Sequence, residues 1–425
     1  MPGLILAAPA SGSGKTTVSL GLLRAFRDRN VAARGAKSGP DYIDPRFHEA
    51  ACGRPSVNLD AWAMTPERLR ALAVGEELLL VEGAMGLFDG APPDGKGSTA
   101  ELARHLGLPA TLIVDAARMA QSVAPLVAGF AAQDPAARVA GVILNRVGSP
   151  RHESALVSAL APLGIPVLGA LPRQKDLSHP SRHLGLVQAS ERPDLEDFIR
   201  RAAEIVAGHL DLAALAALAA PLRPPASGAS IRARPPAQRI AIARDAAFAF
   251  AYPHLLADWR AAGAEILPFS PLADEPAPPA DLVYLPGGYP ELHAGRLAGA
   301  TRFMDSLREA ARSGGAIYGE CGGYMALGES LIDADGAAHR MAGLLPLVTS
   351  FAEPRLHLGY RTAKALGGPF PGVHAAHEFH YAATVRSKGP ALFEVEDAEG
   401  ARLPPAGLIR GAASGSFLHL IEAAE

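Results

Sequence analysis

Cysteine is nearly missing from this chain: its 425 residues include two, Cys52 and Cys321, in unlike surroundings. Two scattered thiols exclude a disulfide-stapled scaffold and point to a reducing, cytoplasmic compartment. An excess of charge is missing too. Forty Lys and Arg face 43 Asp and Glu, which gives no electrostatic case for nucleic acid or an anionic membrane surface as partner. Long apolar runs are also lacking. The richest, from Leu212 to Leu222, is too short to span a bilayer and is interrupted by Pro221 and followed by Pro224, so no membrane segment is expected. Met1 to Leu6 lacks the basic flank and cleavage site of a signal peptide and reads as a first strand. Lysine itself is scarce, with six at positions 15, 37, 96, 175, 364 and 388. Lys15 and Lys37, each in a glycine-rich loop, therefore stand out.

What is present suffices for two cores: 49% of residues are hydrophobic, over a length comfortable for two domains. Short apolar runs at Leu4–Ala8, Glu77–Val81, Ala110–Val114, Val139–Leu144 and Pro166–Leu171 predict buried parallel strands. Amphipathic stretches such as Thr16–Arg29 and Gln121–Ala132 lie between them. This alternation predicts an α/β fold with a parallel sheet covered by helices. The pattern stops at 221–238, where proline, glycine, serine and arginine dominate and no apolar period survives. A second βα series follows at Arg239–Ala243, Leu267, Leu282–Leu285 and Ala316–Tyr318. The expected organisation is a first domain over 1–221, a linker over 222–238 and a second domain over 239–425.

Residues 7–17 read Ala-Ala-Pro-Ala-Ser-Gly-Ser-Gly-Lys-Thr-Thr, between the first strand and the first helix. The ending matches a Walker A phosphate loop, with Pro9 in place of its first glycine. Gly12, Ser13, Gly14 and Thr17 can turn backbone N–H groups and the helix N-terminus toward a phosphate. Lys15 would bridge the outer phosphates of ATP, and the Thr16 hydroxyl would bind Mg2+. Lys37-Ser-Gly-Pro-Asp-Tyr-Ile-Asp44 places a lysine with Asp41 and Asp44 at a strand's C-terminal end, where open parallel sheets bind ligands. For Asp44, just before Pro45, a helix-capping role is the alternative. Glu82 directly follows the run Leu78–Val81, as a magnesium-binding acid would. Asn145, ending another apolar run, is placed either to read adenine or to make a turn.

The second domain carries Ala316-Ile-Tyr-Gly-Glu-Cys-Gly-Gly-Tyr-Met325, a strand running through a glycine-flanked cysteine into a helix. This is the logic of a nucleophile elbow, with the helix N-terminus expected to favour the thiolate of Cys321. His419 is the preferred general base, with His377 and His380 as rivals of the same type. The turn at Gly287 and Gly288 could present oxyanion N–H donors. His377 and His380 are three apart, but no further ligand cluster supports zinc.

With these motifs in view, the chain resembles the cobyrinic or hydrogenobyrinic acid a,c-diamide synthases of cobalamin biosynthesis. The likeness rests above all on Gly39-Pro-Asp-Tyr-Ile-Asp44 together with Glu82-Gly-Ala-Met-Gly-Leu-Phe-Asp-Gly90 and extends over essentially the whole chain. The opening loop with Pro9 looks more like the enzymes that act before cobalt insertion. The resemblance implies a dethiobiotin synthetase-like ATPase domain followed by a class I glutamine amidotransferase domain. It implies amidation of the a and c acetates of a corrin-type tetrapyrrole through an acyl phosphate, with ATP, Mg2+ and glutamine. Position by position, Cys321 would be the glutaminase nucleophile and His419 its base. Ordinary triads carry a glutamate two residues after that histidine, where this chain has Ile421, so a Cys–His pair is what the likeness supports. Thr16, Asp41 and Glu82 would hold magnesium. Asp41, Tyr42, Asp44 and Glu82 would face the carboxylate substrate, with Lys37 and Asp89 in catalytic positions. A homodimer is left open. Rival readings are another amidoligase of the same build, such as a cobyric acid or nickel-sirohydrochlorin a,c-diamide synthase, or a partitioning ATPase with a non-catalytic second domain. The last needs no reactive cysteine, which Cys321 argues against.

Overall fold

A computed structural model of the chain describes residues 2–174, 181–182, 185–186, 188, 193–225 and 232–424. The chain divides into two compact units, Met1–Ile231 and Arg232–Glu425. The division falls inside the proline-rich segment, of which 226–231 lie outside the described residues. On one side Arg223 N–H donates to Leu106 O of the first unit; on the other Ala233 N–H donates to Asp258 of the second.

The first unit is built on seven parallel strands. In spatial order they are Val57–Leu59, Ala33–Ser38, Leu78–Glu82, Pro2–Ala7, Ala110–Asp115, Val139–Val147 and Val167–Pro172. An eighth short strand, Ala220–Pro221, pairs antiparallel with the start of Pro2–Ala7. Helices on both faces bury the strands, so the sequence shows near-continuous apolar runs: Leu4, Ile5 and Leu6 are wholly buried. Strand order reverses on either side of Pro2–Ala7, and the crevice at such a switch point is where ligands bind in this architecture. Register brings the polar residues to that edge: Leu6 and Lys37 both pair with Glu82, and Asp115 pairs with Asn145.

The second unit has a six-stranded sheet ordered Glu265–Phe269, Arg239–Ala243, Leu282–Leu285, Ala316–Glu320, Ala413–Ser416 and Leu408–Arg410. All neighbours are parallel except the last pair. Against it packs an antiparallel sheet of Arg402–Ala406, Phe393–Asp397, His357–Ala365, Val373–His380 and Leu418–Ala423. Ile240, Leu282, Tyr284 and Tyr318 of the first sheet meet Ala363, Phe393, Leu418 and Leu420 of the second, closed off by Trp259. Each fully buried large side chain in such a core contributes about 1.5–3 kcal/mol. A smaller four-stranded sheet completes the unit. The expected parallel strands are found within a few residues of their predicted ends, whereas the antiparallel sheet is new.

Candidate active sites

In the first unit, the helix Lys15–Asp28 starts at Gly14, whose φ of 90° is left-handed. A side chain there would also collide with Asn145, because an added Cβ would lie 2.3 Å from Asn145 Nδ2. The position therefore demands glycine, and the free N–H groups of the first turn open onto the loop. Asn145 Nδ2 donates to Ser13 O at 2.8 Å and its Oδ1 accepts from Arg146 N–H at 2.9 Å. Its amide thus buttresses the loop. Beside it opens a cleft lined by Gly14, Thr17, Asn145, Arg146, Pro172 and Val206 among others.

The strand Leu78–Glu82 delivers Glu82, 1% exposed, to the sheet edge. Its Oε1 accepts from Thr16 Oγ1 at 2.6 Å and lies 2.9 Å from Lys37 Nζ; its Oε2 lies 2.8 Å from His48 Nε2. Lys37 also pairs with Asp44 at 2.5 Å. Two buried carboxylates thus share one ammonium. Burial alone would lower Lys37, but Asp44 and Glu82 outweigh it and hold the amine protonated. Burial alone would raise Glu82, but Lys37 and His48 keep its carboxyl well below the usual range. Burial, then Asp41, push Asp44 up, so Asp44 is the carboxylate that takes a proton first. Asp41 Oδ1 accepts from the N–H groups of Ile43 and Asp44, at 2.8 and 3.2 Å, and so shapes the start of the helix Asp44–Cys52. Tyr42 is buried beside it. The hard oxygens of Thr16 and Glu82, side by side at a phosphate loop, fit the donor chemistry of Mg2+.

Lys15 donates to the carbonyl of Met85. Burial and the neighbouring Lys37 lower its amine to about 8. The loop that supplies Met85 is closed by Asp89, whose Oδ2 accepts from Gly86 N–H at 2.8 Å. Leu87 N–H donates to Ala8 O and ties this loop to the phosphate loop. The sequence reading missed His48 and Asn58. The Asn58 amide donates to the carbonyls of Gly39 and Asp41 at 2.9 and 2.7 Å and so fixes the loop carrying Asp41.

In the second unit, Cys321 adopts φ 44° and ψ −100° between the strand Ala316–Glu320 and the helix Gly322–Leu327. A non-glycine residue at positive φ is strained, as at the turn that presents a nucleophile. The turn is pinned by Cys321 N–H donating to Ser416 O at 2.8 Å and Gly323 N–H donating to Pro286 O at 3.1 Å. The expected thiolate is not favoured: burial, then Glu291, push the Cys321 thiol well above its ordinary value. The six-residue helix does not offset that, so this thiol needs a base to lose its proton.

His419 is fully buried on the strand Leu418–Ala423. Burial, then His377 and His380, lower its imidazole to about 3, so it is neutral and able to accept a proton. An added Cβ on Gly287 would lie 2.2 Å from His419 Cε1, and one on Gly322 would lie 3.0 Å from Gly288 N. The Gly287–Gly288 turn is therefore wedged between the His419 ring and the elbow carrying Cys321. His377 pairs in register with His419 across the sheet. His380 is engaged elsewhere: its ring stacks on Phe417 at 3.9 Å and on His357 at 4.6 Å, and its nitrogens face Ala382 O and Glu378. Glu378 in turn pairs with Arg361. His357, Glu378 and His380 bring ligand atoms within 4.8 Å of one another. His380 thus has two further potential ligands beside it that the sequence did not lead one to expect, and Glu378 is already paired with the Arg361 guanidinium.

Residues 4–187 match the CobQ/CobB/MinD/ParA nucleotide binding domain, and residues 239–425 match the CobB/CobQ-like glutamine amidotransferase domain. A phosphate-loop ATPase joined to a glutamine amidotransferase defines a glutamine-hydrolysing, ATP-dependent amidoligase, and a non-catalytic second domain is set aside. The chain is 57% identical over 431 residues to a hydrogenobyrinate a,c-diamide synthase of Brucella abortus, covering 99% of each chain. It is 55% identical to the enzyme of that name from Rhodobacter capsulatus, covering 99% of this chain and 98% of the relative. It is 54% identical to that of Rhizobium meliloti, covering all of both. The chain belongs to the hydrogenobyrinate a,c-diamide synthase family. Among the described residues no helix is long and apolar enough to cross a membrane.

Proposed function

We infer that this enzyme converts the a and c acetate side chains of hydrogenobyrinic acid to amides, with ATP and glutamine as co-substrates. The observation behind this reading is the presence in one chain of two candidate centres. One is a phosphate loop whose Thr16 hydroxyl rests on Glu82, 2.6 Å away. The other is a strained cysteine turn, with a neutral, buried histidine against the Gly287–Gly288 turn that packs on it. Residues 1–221 would form the synthetase, 239–425 the amidotransferase and 222–238 the connection.

In the synthetase, Gly12, Ser13, Gly14 and Thr17 direct backbone N–H groups at the phosphates, and Asn145 holds that loop in shape. Lys15 leaves the Met85 carbonyl for the γ-phosphate and neutralises charge as the phosphoryl group moves. The substrate carboxylate attacks the γ-phosphorus, ADP leaves, and an acyl phosphate forms. Lys37, Asp41, Tyr42, Asp44 and Asp89 border the place where that carboxylate would lie. Thr16, Asp41 and Glu82 would hold Mg2+, which would supply Lewis-acid screening of the phosphate oxygens.

In the amidotransferase, His419 takes the Cys321 proton as sulfur attacks the glutamine amide carbon. The N–H groups of Gly287 and Gly288 are positioned as donors to the oxyanion. Collapse releases ammonia, which takes that proton back, and leaves a thioester that water hydrolyses to glutamate. Ammonia then displaces phosphate from the acyl phosphate. The test is mass spectrometry of the product formed from hydrogenobyrinic acid, MgATP and glutamine. Two acid-to-amide conversions are expected; an unchanged macrocycle, with glutamine and ATP both consumed, would refute the substrate.

A further inference from the structure

The residue before the nucleophile is a buried acid. Glu320 ends the strand Ala316–Glu320, and its side chain is 2% exposed. It is turned away from solvent. Its Oε2 accepts from Tyr284 Oη at 2.8 Å, and its Oε1 accepts from Tyr318 Oη at 3.4 Å and from Leu420 N–H at 3.3 Å. The remaining direction of Oε2 leads to His419, whose Nδ1 lies 3.9 Å away. Both groups are within the same closed, apolar surroundings, so their interaction is only weakly screened.

We propose that Glu320 is the residue that orients His419, in place of the missing acid two positions beyond the histidine. The geometry of the strand explains why that acid cannot come from its usual place. Side chains two apart on a strand share a face, and here the partner of His419 on that face is Ile421, fully buried and apolar. A carboxylate reaches Nδ1 instead from the end of the neighbouring parallel sheet. The Leu420 N–H, donated to Glu320 Oε1, ties that carboxylate to the strand bearing His419.

The chemistry requires such a partner. When Nδ1 carries the hydrogen, Nε2 has its lone pair free for the Cys321 proton; with the other tautomer it does not. The Glu320 carboxyl accepts Nδ1–H and selects the productive tautomer. When the Cys321 proton arrives on Nε2, the resulting imidazolium lies against that carboxyl and favours its ionised form. The 3.9 Å separation is longer than a hydrogen bond, and such contacts in resting enzymes commonly tighten when substrate binds. Burial raises the Glu320 carboxyl to about 8, against the pull of Tyr284, Leu420 and Tyr318, so a new positive charge on His419 has a large effect on it. Glu320 touches neither glutamine nor the thioester in this scheme. It is a positioning residue, and its role rests on the glutaminase reading of Cys321 and His419.

The experiment measures glutamine hydrolysis and the rate of Cys321 alkylation by iodoacetamide, followed on the Cys321 peptide, in the full chain. The wild type, Glu320→Gln, His419→Ala and the double variant are compared. Glutamine replaces the carboxylate by an amide of the same shape and keeps an acceptor for Tyr284. Glu320→Gln should lower glutaminase kcat by at least about a hundredfold with KM within about threefold. Synthesis from ammonium should persist, which shows that the chain is folded. Alkylation should slow in Glu320→Gln but not slow further when His419→Ala is already present, because the two residues act as a unit. Glutaminase within about threefold of wild type in Glu320→Gln, or an alkylation effect that adds to that of His419→Ala, overturns the proposal. No glutamine hydrolysis by the wild type would instead remove the glutaminase reading itself, so the two failures are distinct.

Discussion

The ammonium of Lys37 lies 2.9 Å from Glu82 Oε1, the oxygen that also accepts from the Thr16 hydroxyl. Lys37 is 5% exposed and Glu82 1%. Removing the ammonium leaves Glu82 and Asp44 buried close together without the cation they share. Lys37→Met should therefore destabilise the first unit by about 3–5 kcal/mol. Denaturant unfolding of the variant checks this, and a loss within about 0.5 kcal/mol would mean that the network is not formed in solution.

Lys15 sets a pH dependence for ATP binding. Its amine titrates near 8 in the free protein because burial and Lys37 depress it. ATP phosphates favour the ammonium, so affinity for MgATP should be constant below that pH and weaken above it, approaching tenfold per pH unit. Lys15→Arg should cost at least about tenfold in ATP-dependent turnover despite the conserved charge, since the planar guanidinium cannot act as a compact ammonium at the γ-phosphate. Calorimetric titration with a non-hydrolysable ATP analogue from pH 7 to 10 checks the first statement, and steady-state kinetics the second.

Gly287 is fixed by the ring it touches. With only 2.2 Å between an added Cβ and His419 Cε1, Gly287→Ala must displace the histidine or the turn. Glutaminase activity should fall by at least about tenfold, while synthesis from ammonium is retained. Parallel assays with the two nitrogen sources check this.

The second unit should become less stable as pH rises. Burial raises Glu320 from the ordinary 4.5 to about 8, so the folded state binds its proton more tightly than the unfolded chain does. This stabilisation is complete below the unfolded value and is lost as pH climbs through the folded one. The slope between them is at most about 1.4 kcal/mol per pH unit. Thermal or denaturant unfolding of wild type and Glu320→Gln between pH 5 and 9 checks it: the variant should show the flatter profile.

The parallel sheets were legible because strands buried on both faces leave unbroken apolar runs. Arg239–Ala243 and Leu282–Leu285 fall where those runs do, and the first helix, expected at Thr16–Arg29, lies one residue earlier at Lys15–Asp28. The antiparallel sheet was not legible. His357–Ala365 has a largely half-exposed face with no clean alternation, and Arg402–Ala406 contains two prolines, tolerated because it is an edge strand. Lys15, Glu82 and Cys321 were visible because loop and strand-end motifs are local. His48 was not, because its tie to Glu82 spans 34 positions and depends on how a helix docks on the sheet. Glu320 stood inside the cysteine motif, but its partners Tyr284, Leu420 and His419 come from other strands. Resting thiolate character at Cys321 was expected from the helix N-terminus alone; the depth of burial that reverses it is a property of the packed unit.

The separation of nitrogen supply from carboxylate activation is the centre of this account, and Cys321→Ala tests it most directly. The variant, given hydrogenobyrinic acid and MgATP, is assayed for amide formation with glutamine and with high ammonium. No product is expected from glutamine, and the diamide is expected from ammonium. Product from glutamine, or loss of both reactions in a folded variant, would contradict it.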